Sequence, residues 1–124
     1  MWQKQKIGKT GEEIAKKYFK KKGYKILEQH YCLRGGEIDL IVQKEEKIIF
    51  VEVKTRTSDE FGNPEESINY YKQKSLNRAI NNYFFKKRIE NNDYQFDVVS
   101  IMLDKKERKA LIKHFKNVQL AQLN

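Results

Sequence analysis

Little in this sequence staples, kinks or anchors a chain: it holds one cysteine, one proline, one tryptophan and two histidines. A lone Cys32 closes no intramolecular disulfide, so the fold has to rest on a hydrophobic core, and the compartment implied is a reducing one, the cytoplasm. Cys32 with His30 and His114 gives no zinc-ligand spacing either. Long apolar runs are missing too. The densest, Ile48 to Val51, stops at Glu52, far short of the roughly 20 residues a membrane-spanning helix requires. Met1 to Lys9 lacks the continuous apolar stretch of a secretory signal. The expectation is a soluble, unprocessed chain with no membrane partner, and its 124 residues suit one compact domain, 1–124.

What the sequence has in excess is positive charge, 26 Lys and Arg against 17 Asp and Glu, a formal net charge of +9. A surplus of that size on a small domain suits a polyanion such as nucleic acid. Solubility explains a basic surface equally well. The runs Lys16-Lys17, Lys20-Lys21-Lys22 and Lys86-Lys87-Arg88 fall on predicted helices, where they read as solvated faces. Charge therefore points to nucleic acid only in combination with a site.

Thr10-Gly11-Glu12-Glu13 has the form of a capping box, and Ile14, Ala15, Tyr18 and Phe19 follow at helical spacing. A first helix is predicted from this box to about Lys22, ended by Gly23. Tyr24 to Tyr31 is predicted as a strand on its β-branched and aromatic content, with imperfect alternation. Gly35-Gly36 turns the chain into Glu37–Gln43, Lys44–Lys47 makes a charged turn and Ile48–Thr55 returns, which together read as a β-hairpin. Arg56 to Asn63 is a predicted loop. Asn63-Pro64-Glu65-Glu66 supplies an N-cap, a proline at the first helical position and an acid, so a second helix is predicted from Pro64 to about Lys87. Its apolar stripe is Ile68, Leu76, Ala79, Ile80 and Tyr83. After a loop at Glu90–Tyr94 come a strand at Phe96–Leu103, apolar on both faces and hence central, a turn at Asp104–Lys109, and a last strand near Ala110–Phe115. The predicted order is α-β-β-β-α-β-β.

The hairpin carries Glu37 and Asp39 on its first strand and Glu52 and Lys54 on its second, each pair two apart and so on one face. With a turn symmetric about Glu45-Glu46, positions summing to 91 lie opposite, which sets Asp39 across from Glu52 and Glu37 across from Lys54. Facing carboxylates repel unless a hard cation sits between them or one holds a proton, and a divalent ion is the economical explanation. Magnesium or manganese on the oxygens of Asp39 and Glu52, with Lys54 one pleat away to orient water or meet charge on a phosphate, would make the parts of phosphodiester hydrolysis. The competing explanation is a solvent-facing edge studded with alternating charges.

The run Gly35-Gly36-Glu37-Ile38-Asp39-Leu40-Ile41 followed by Phe50-Val51-Glu52-Val53-Lys54-Thr55-Arg56 resembles the signature of the bacterial YraN family. That family in turn resembles Holliday-junction resolvases and restriction endonucleases of PD-(D/E)xK type. Gly11-Glu12, Phe61-Gly62-Asn63-Pro64, Lys72-Gln73, Phe96-Asp97-Val98-Val99 and His114 with Asn117 also match, so the resemblance covers nearly the whole chain. Ile38 stands where proline is usual before the first acid, a change that bears on backbone shape rather than on the carboxylate. The resemblance implies an α/β fold of restriction-endonuclease-like type, a mixed sheet flanked by helices, with catalytic residues Asp39, Glu52 and Lys54. It also implies an extra acid from the first helix. Glu12 is that acid, since Glu13 is spent on the capping box while Glu12 lies beside Ala15 and Phe19; helix-dipole stabilisation is its plainer role.

Other residues carry two readings each. Lys72, within the second helix's stripe, either snorkels to solvent or reaches the phosphate site, and Gln73 at the margin shares that choice. Glu37 is a metal ligand or the ion-pair partner of Lys54, the partner role being favoured; Arg56 contacts a phosphate or lies in the loop. Asp97 is expected to make a structural hydrogen bond, His114 to be a satisfied sheet histidine, and Tyr70-Tyr71 to pack rather than stack on bases. The function expected is a magnesium- or manganese-dependent nuclease on nucleic acid, DNA ahead of RNA, with branched or single-stranded structures in view. The rivals are a non-catalytic nucleic-acid-binding module of the same fold and a structural partner protein with a stabilising metal.

Overall fold

A computed structural model describes residues 4–57, 69–89 and 94–120, with the backbone alone at residues 4 and 5. Along the chain run α1 (Lys4–Lys21), β1 (Lys25–Leu33), β2 (Gly36–Lys44), β3 (Lys47–Thr57), α2 (Tyr70–Lys87), β4 (Gln95–Asp104) and β5 (Lys109–Phe115). The order is α-β-β-β-α-β-β, and the strands form one mixed sheet in sequence order. β1, β2 and β3 are joined antiparallel, β3 and β4 parallel, β4 and β5 antiparallel. The single parallel pair needs a crossover, and α2 lies on it.

The two helices cover opposite faces. Ala15 and Phe19 of α1 bury against Leu40, Val42, Val51, Val99 and Ile101. Leu76, Ala79, Ile80, Tyr83 and Phe84 of α2 bury against Ile38, Ile41, Phe50, Phe96 and Val98. Strands with a helix on each face read as continuous apolar runs, which is why β4 is buried from Phe96 to Ile101. Among the described residues no helix is long and apolar enough to cross a membrane.

Three predicted boundaries move. α1 begins before the capping box, so Thr10 and Glu13 lie inside the helix, and the side chain of Glu13 accepts from Gln29 Nε2 at 2.9 Å instead of reaching back to an N-cap. The cause is Ile7, which extends the apolar stripe one turn upstream and packs on the α1-side core. α2 begins at Tyr70 with Asn69 as its N-cap, φ −87° and ψ −177°, its side chain accepting from the Lys72 amide. That extended residue separates the helix from Pro64, and Asn63, Pro64 and Ile68 lie outside the described residues. β3 runs on through Arg56 and Thr57, predicted as loop, because its parallel ladder with β4 continues to Thr57↔Leu103.

Gly11 sits inside α1 where glycine is unfavourable by about 1 kcal/mol relative to alanine. Its use is proximity: a Cβ there would run into Thr55 Oγ1 and lie 2.7 Å from Thr55 Cβ, so the missing side chain lets α1 lie directly on β3. Gly11→Ala should therefore lower the melting temperature by about 2–8 °C, as overpacking outweighs the gain in helix propensity. Thr55→Ala added to Gly11→Ala should recover part of the loss. An alanine variant that melts at or above its parent would mean α1 stands further from β3 than the structure places it.

Candidate metal centre

The hairpin ladder keeps the predicted register, from Lys44↔Lys47 to Leu40↔Val51, and then stops. Beyond that pair the strands part, and the Val53 amide donates to Asp39 Oδ2 at 2.7 Å. Asp39 and Glu52 are thus not a ladder pair, although register brings them together at the point of divergence. Asp39 also marks a change of face: Leu40 packs on the α1 side, while Ile38, two residues before it, packs on the α2 side. Strict alternation would put them on the same face. On β1 the neighbouring pairs are Gln29↔Leu40 and Tyr31↔Ile38, so His30 stands across from Asp39, and it takes φ 53° as the chain switches face with its neighbour.

Asp39 and Glu52 are only 9% and 2% exposed. Burial pushes the Glu52 carboxyl up from an ordinary 4.5 to about 8, helped by a hydrogen bond with Asp39 and by that residue's charge, and Lys72 offsets only part of this. Glu52 is the acid that keeps a proton near neutral pH. Lys72 Nζ reaches Glu52 Oε2 at 2.9 Å and Glu37 Oε1 at 3.7 Å. Burial works against this ammonium, but Glu52, Asp39 and Glu37 outweigh it and leave its pKa raised. Among the described residues Glu52 Oε2 has no donor in hydrogen-bond alignment, and its partner is the Lys72 ammonium at 2.9 Å.

The ion-pair partner of Glu37 is therefore Lys72 and not Lys54. The ladder that would have set Glu37 across from Lys54 ends first, and Glu37 pairs on its other side with Cys32. Lys72 does not snorkel away to solvent: it lies one turn upstream of Leu76 on the buried stripe and reaches the acids of the cavity. The adjacent Tyr70 and Tyr71 fall off that stripe and are 51% and 79% exposed, so they do not pack as expected.

Glu12 comes from α1 with its side chain 20% exposed and its Oε1 buried without a hydrogen-bond partner among the described residues; His30 Nδ1 lies 3.5 Å from that oxygen. Nothing in the sequence singled out His30, because its placement follows from a cross-strand position and a local change of face. A cavity of about 360 Å³ is lined by Glu12, Glu37, Asp39, Glu52, Lys54 and Lys72, with Ile7, Gly8, Val53 and Thr55 completing it. Lys54 is half-buried, and Arg56 follows it on β3 in register with Met102. Arg56 and the half-buried Gln73 are not in the lining, among the described residues. Four acids against two ammonium groups leave this lining formally negative in a chain of net charge +9, an environment that suits a cation.

Two features lie elsewhere. A larger, more apolar cleft of about 470 Å³ runs between Ile14 and the β4–β5 turn and holds no comparable group of facing acids. Asp97, fully buried, accepts from Gln95 Nε2 and the Asn117 amide and lies 2.7 Å from His114 Nε2, while His114 Nδ1 lies 2.9 Å from the Tyr18 hydroxyl. A neutral imidazole protonated at Nε2 satisfies all these groups, and the network ties β4, β5, α1 and the C-terminal segment together.

The raised pKa of Glu52 predicts a pH dependence. Between about pH 4.5 and 8 the folded chain keeps a proton that the unfolded chain releases, so the stability contributed here is complete below 4.5 and lost as pH rises through 8. For metal-free protein, denaturant unfolding should show stability falling over this range by up to several kcal/mol from this site. Glu52→Gln should flatten the fall and make the variant the more stable of the two at alkaline pH. Parallel pH profiles for variant and parent would place the proton elsewhere.

The profile of the Uncharacterised protein family UPF0102 matches residues 11–101. The UPF0102 protein of Alkaliphilus oremlandii is 45% identical over 114 residues, covering 90% of this chain and 96% of that one. Those of Carboxydothermus hydrogenoformans and Chloroherpeton thalassium are 36% and 44% identical, with 93% and 84% of this chain and 96% and 81% of theirs covered. With a family match over most of its length and relatives this similar, the chain belongs to the UPF0102 family.

Proposed function

We propose that this protein is a cytoplasmic, metal-dependent phosphodiesterase of nucleic acid, DNA ahead of RNA, acting on branched or single-stranded structures. The observation that carries the reading is the Asp39–Glu52 contact: two buried carboxyls at the parting of β2 and β3, one oxygen of Glu52 without an aligned donor. Buried acids in contact destabilise a fold unless something offsets them, and a cation does so most directly.

Asp39, Glu52 and Glu12 are the residues that would hold magnesium or manganese, their oxygens being the donors both ions accept. Such an ion supplies Lewis acidity toward a phosphoryl oxygen and makes water more acidic. Asp39 is fixed for this by the Val53 amide, which donates to one of its oxygens. Lys54, two residues beyond Glu52 and lining the same cavity, is the cation to orient the attacking water and to meet charge as it develops on the phosphate. Lys72 holds Glu52 and Glu37 in place. The positive surplus of the whole chain attracts the polyanion that the cavity alone would repel.

One observation favours a second reading. Lys72, 2.9 Å from Glu52, already supplies a positive charge to the acid pair, as it would in a non-catalytic nucleic-acid-binding module that needs no ion. The two readings separate in a cleavage panel of duplex, single-stranded, flap and four-way-junction DNA, with RNA, in magnesium or manganese. Activity is expected on at least one substrate. Lys54→Ala should then lower turnover by about 10²–10³-fold with near-normal binding, because it removes one transition-state charge and only one of many phosphate contacts. A parent inactive on every substrate leaves the binding module, and a Lys54→Ala variant as fast as its parent moves the chemistry off this hairpin.

Both readings require affinity for nucleic acid to fall steeply with salt, log affinity against log salt having a slope of several negative units as lysine–phosphate contacts release counterions. A flat dependence in fluorescence anisotropy would remove nucleic acid as the partner.

A further inference from the structure

His30, an exposed residue outside every motif that marks the cavity, lies beside two residues that line it, Glu12 and Asp39. The surrounding pairs of the β1–β2 ladder set it across from Asp39, and its positive φ accompanies the switch of face that both residues share. We propose that His30 is a nitrogen ligand of the ion held by Asp39 and Glu12, and that it makes the site prefer manganese to magnesium. The inference rests on the metal reading of the site and adds a ligand and a selectivity to it.

Three observations carry it. One ligand atom from each of Glu12, His30 and Asp39 lies within 4.8 Å of the other two. Neighbouring ligands of a six-coordinate ion with bonds of about 2.1 Å are about 3 Å apart and opposite ones about 4.2 Å, so small side-chain rotations bring these three onto one ion. The 3.5 Å separation of His30 Nδ1 and Glu12 Oε1 is already close to the spacing of neighbours.

Unused ligand capacity lies at this point. Glu12 Oε1 is buried with no hydrogen-bond partner among the described residues, whereas Glu52 Oε2, on a side chain 3% exposed, is ion-paired with Lys72. The Glu12 oxygen is the one that His30 Nδ1 faces, at 3.5 Å. The imidazole also sets the chemistry. Magnesium takes oxygen ligands almost exclusively and parts with water reluctantly, whereas manganese lies among the transition ions whose affinity rises when a nitrogen donor is available. His30 can instead turn toward Cys32 and Glu37, whose ligand atoms are also within 4.8 Å of it, but all three residues of that set are exposed and water competes for the ion there.

The test is binding of Mn²⁺ and Mg²⁺ to the full chain, by titration calorimetry and by competition against Mn²⁺ electron paramagnetic resonance. The parent should bind Mn²⁺ at least about tenfold more tightly than Mg²⁺. His30→Asn and His30→Gly both suit the positive φ, so the ratio is read on whichever keeps the parent's metal-free melting temperature. Either should bind Mn²⁺ about tenfold more weakly with Mg²⁺ affinity within about twofold, collapsing the ratio. Asp39→Asn should abolish the binding of both ions. If Asp39→Asn does so while the His30 variants keep the parent's ratio, His30 is no ligand, and the proposed function stands without it. If Cys32→Ser removes the manganese preference and Asp39→Asn leaves it, the ion sits on the exposed set and the proposal is overturned. If the parent binds neither ion, the metal reading falls along with it.

Discussion

Asp39 and Glu52 are held against each other with almost no access to water, and much of the surrounding structure compensates for that contact. The Val53 amide donates to one oxygen of Asp39, the proton that burial keeps on Glu52 removes one negative charge, and Lys72 brings a positive one. The amide comes from β3 and the ammonium from the first turn of α2, so the seating of a helix is coupled to the charge state of two strand residues. Replacing Lys72 would leave a buried acid uncompensated, a more serious loss than that of a surface ion pair.

Room for the contact arises because β2 and β3 part where they do. Beyond Leu40↔Val51 the β2–β3 ladder ends, while β3 continues straight on its parallel ladder with β4 as far as Thr57. β2 turns away with β1, both strands switching face at Asp39 and His30. The opened corner is filled from both sides of the sheet. α1 contributes Glu12, brought close by the bare backbone of Gly11, and α2 contributes Lys72. A hairpin paired to its end would have placed backbone hydrogen bonds in the same space.

Asp97 shows that burial of an acid does not by itself mark a site. It is more completely buried than Asp39, yet amide, carboxamide and imidazole groups surround its two oxygens, and what it does is join strands to the chain that follows them. At the cavity, by contrast, Glu12 keeps a buried oxygen with no hydrogen-bond partner among the described residues. That difference separates a structural carboxylate from one with capacity to bind something else.

The sequence by itself determined the element order, the register of the hairpin and the meeting of Asp39 with Glu52, because each follows from local rules: apolar periodicity, turn residues, and the fixed relation across a symmetric turn. Lys54 on the face of Glu52 follows from the same two-residue repeat. The helix starts were legible only in part, since the chain offers capping residues at Thr10 and Asn63 as well as at Asn69, and packing of Ile7 decided the first. Tertiary structure alone decided that Lys72 rather than Lys54 pairs with Glu37, that Tyr70 and Tyr71 face solvent, and that His30 stands across from Asp39. Those placements depend on where a ladder ends, how a helix rotates on a sheet and where two strands change face together. Each is settled by contacts between segments distant in sequence, and no local pattern encodes it.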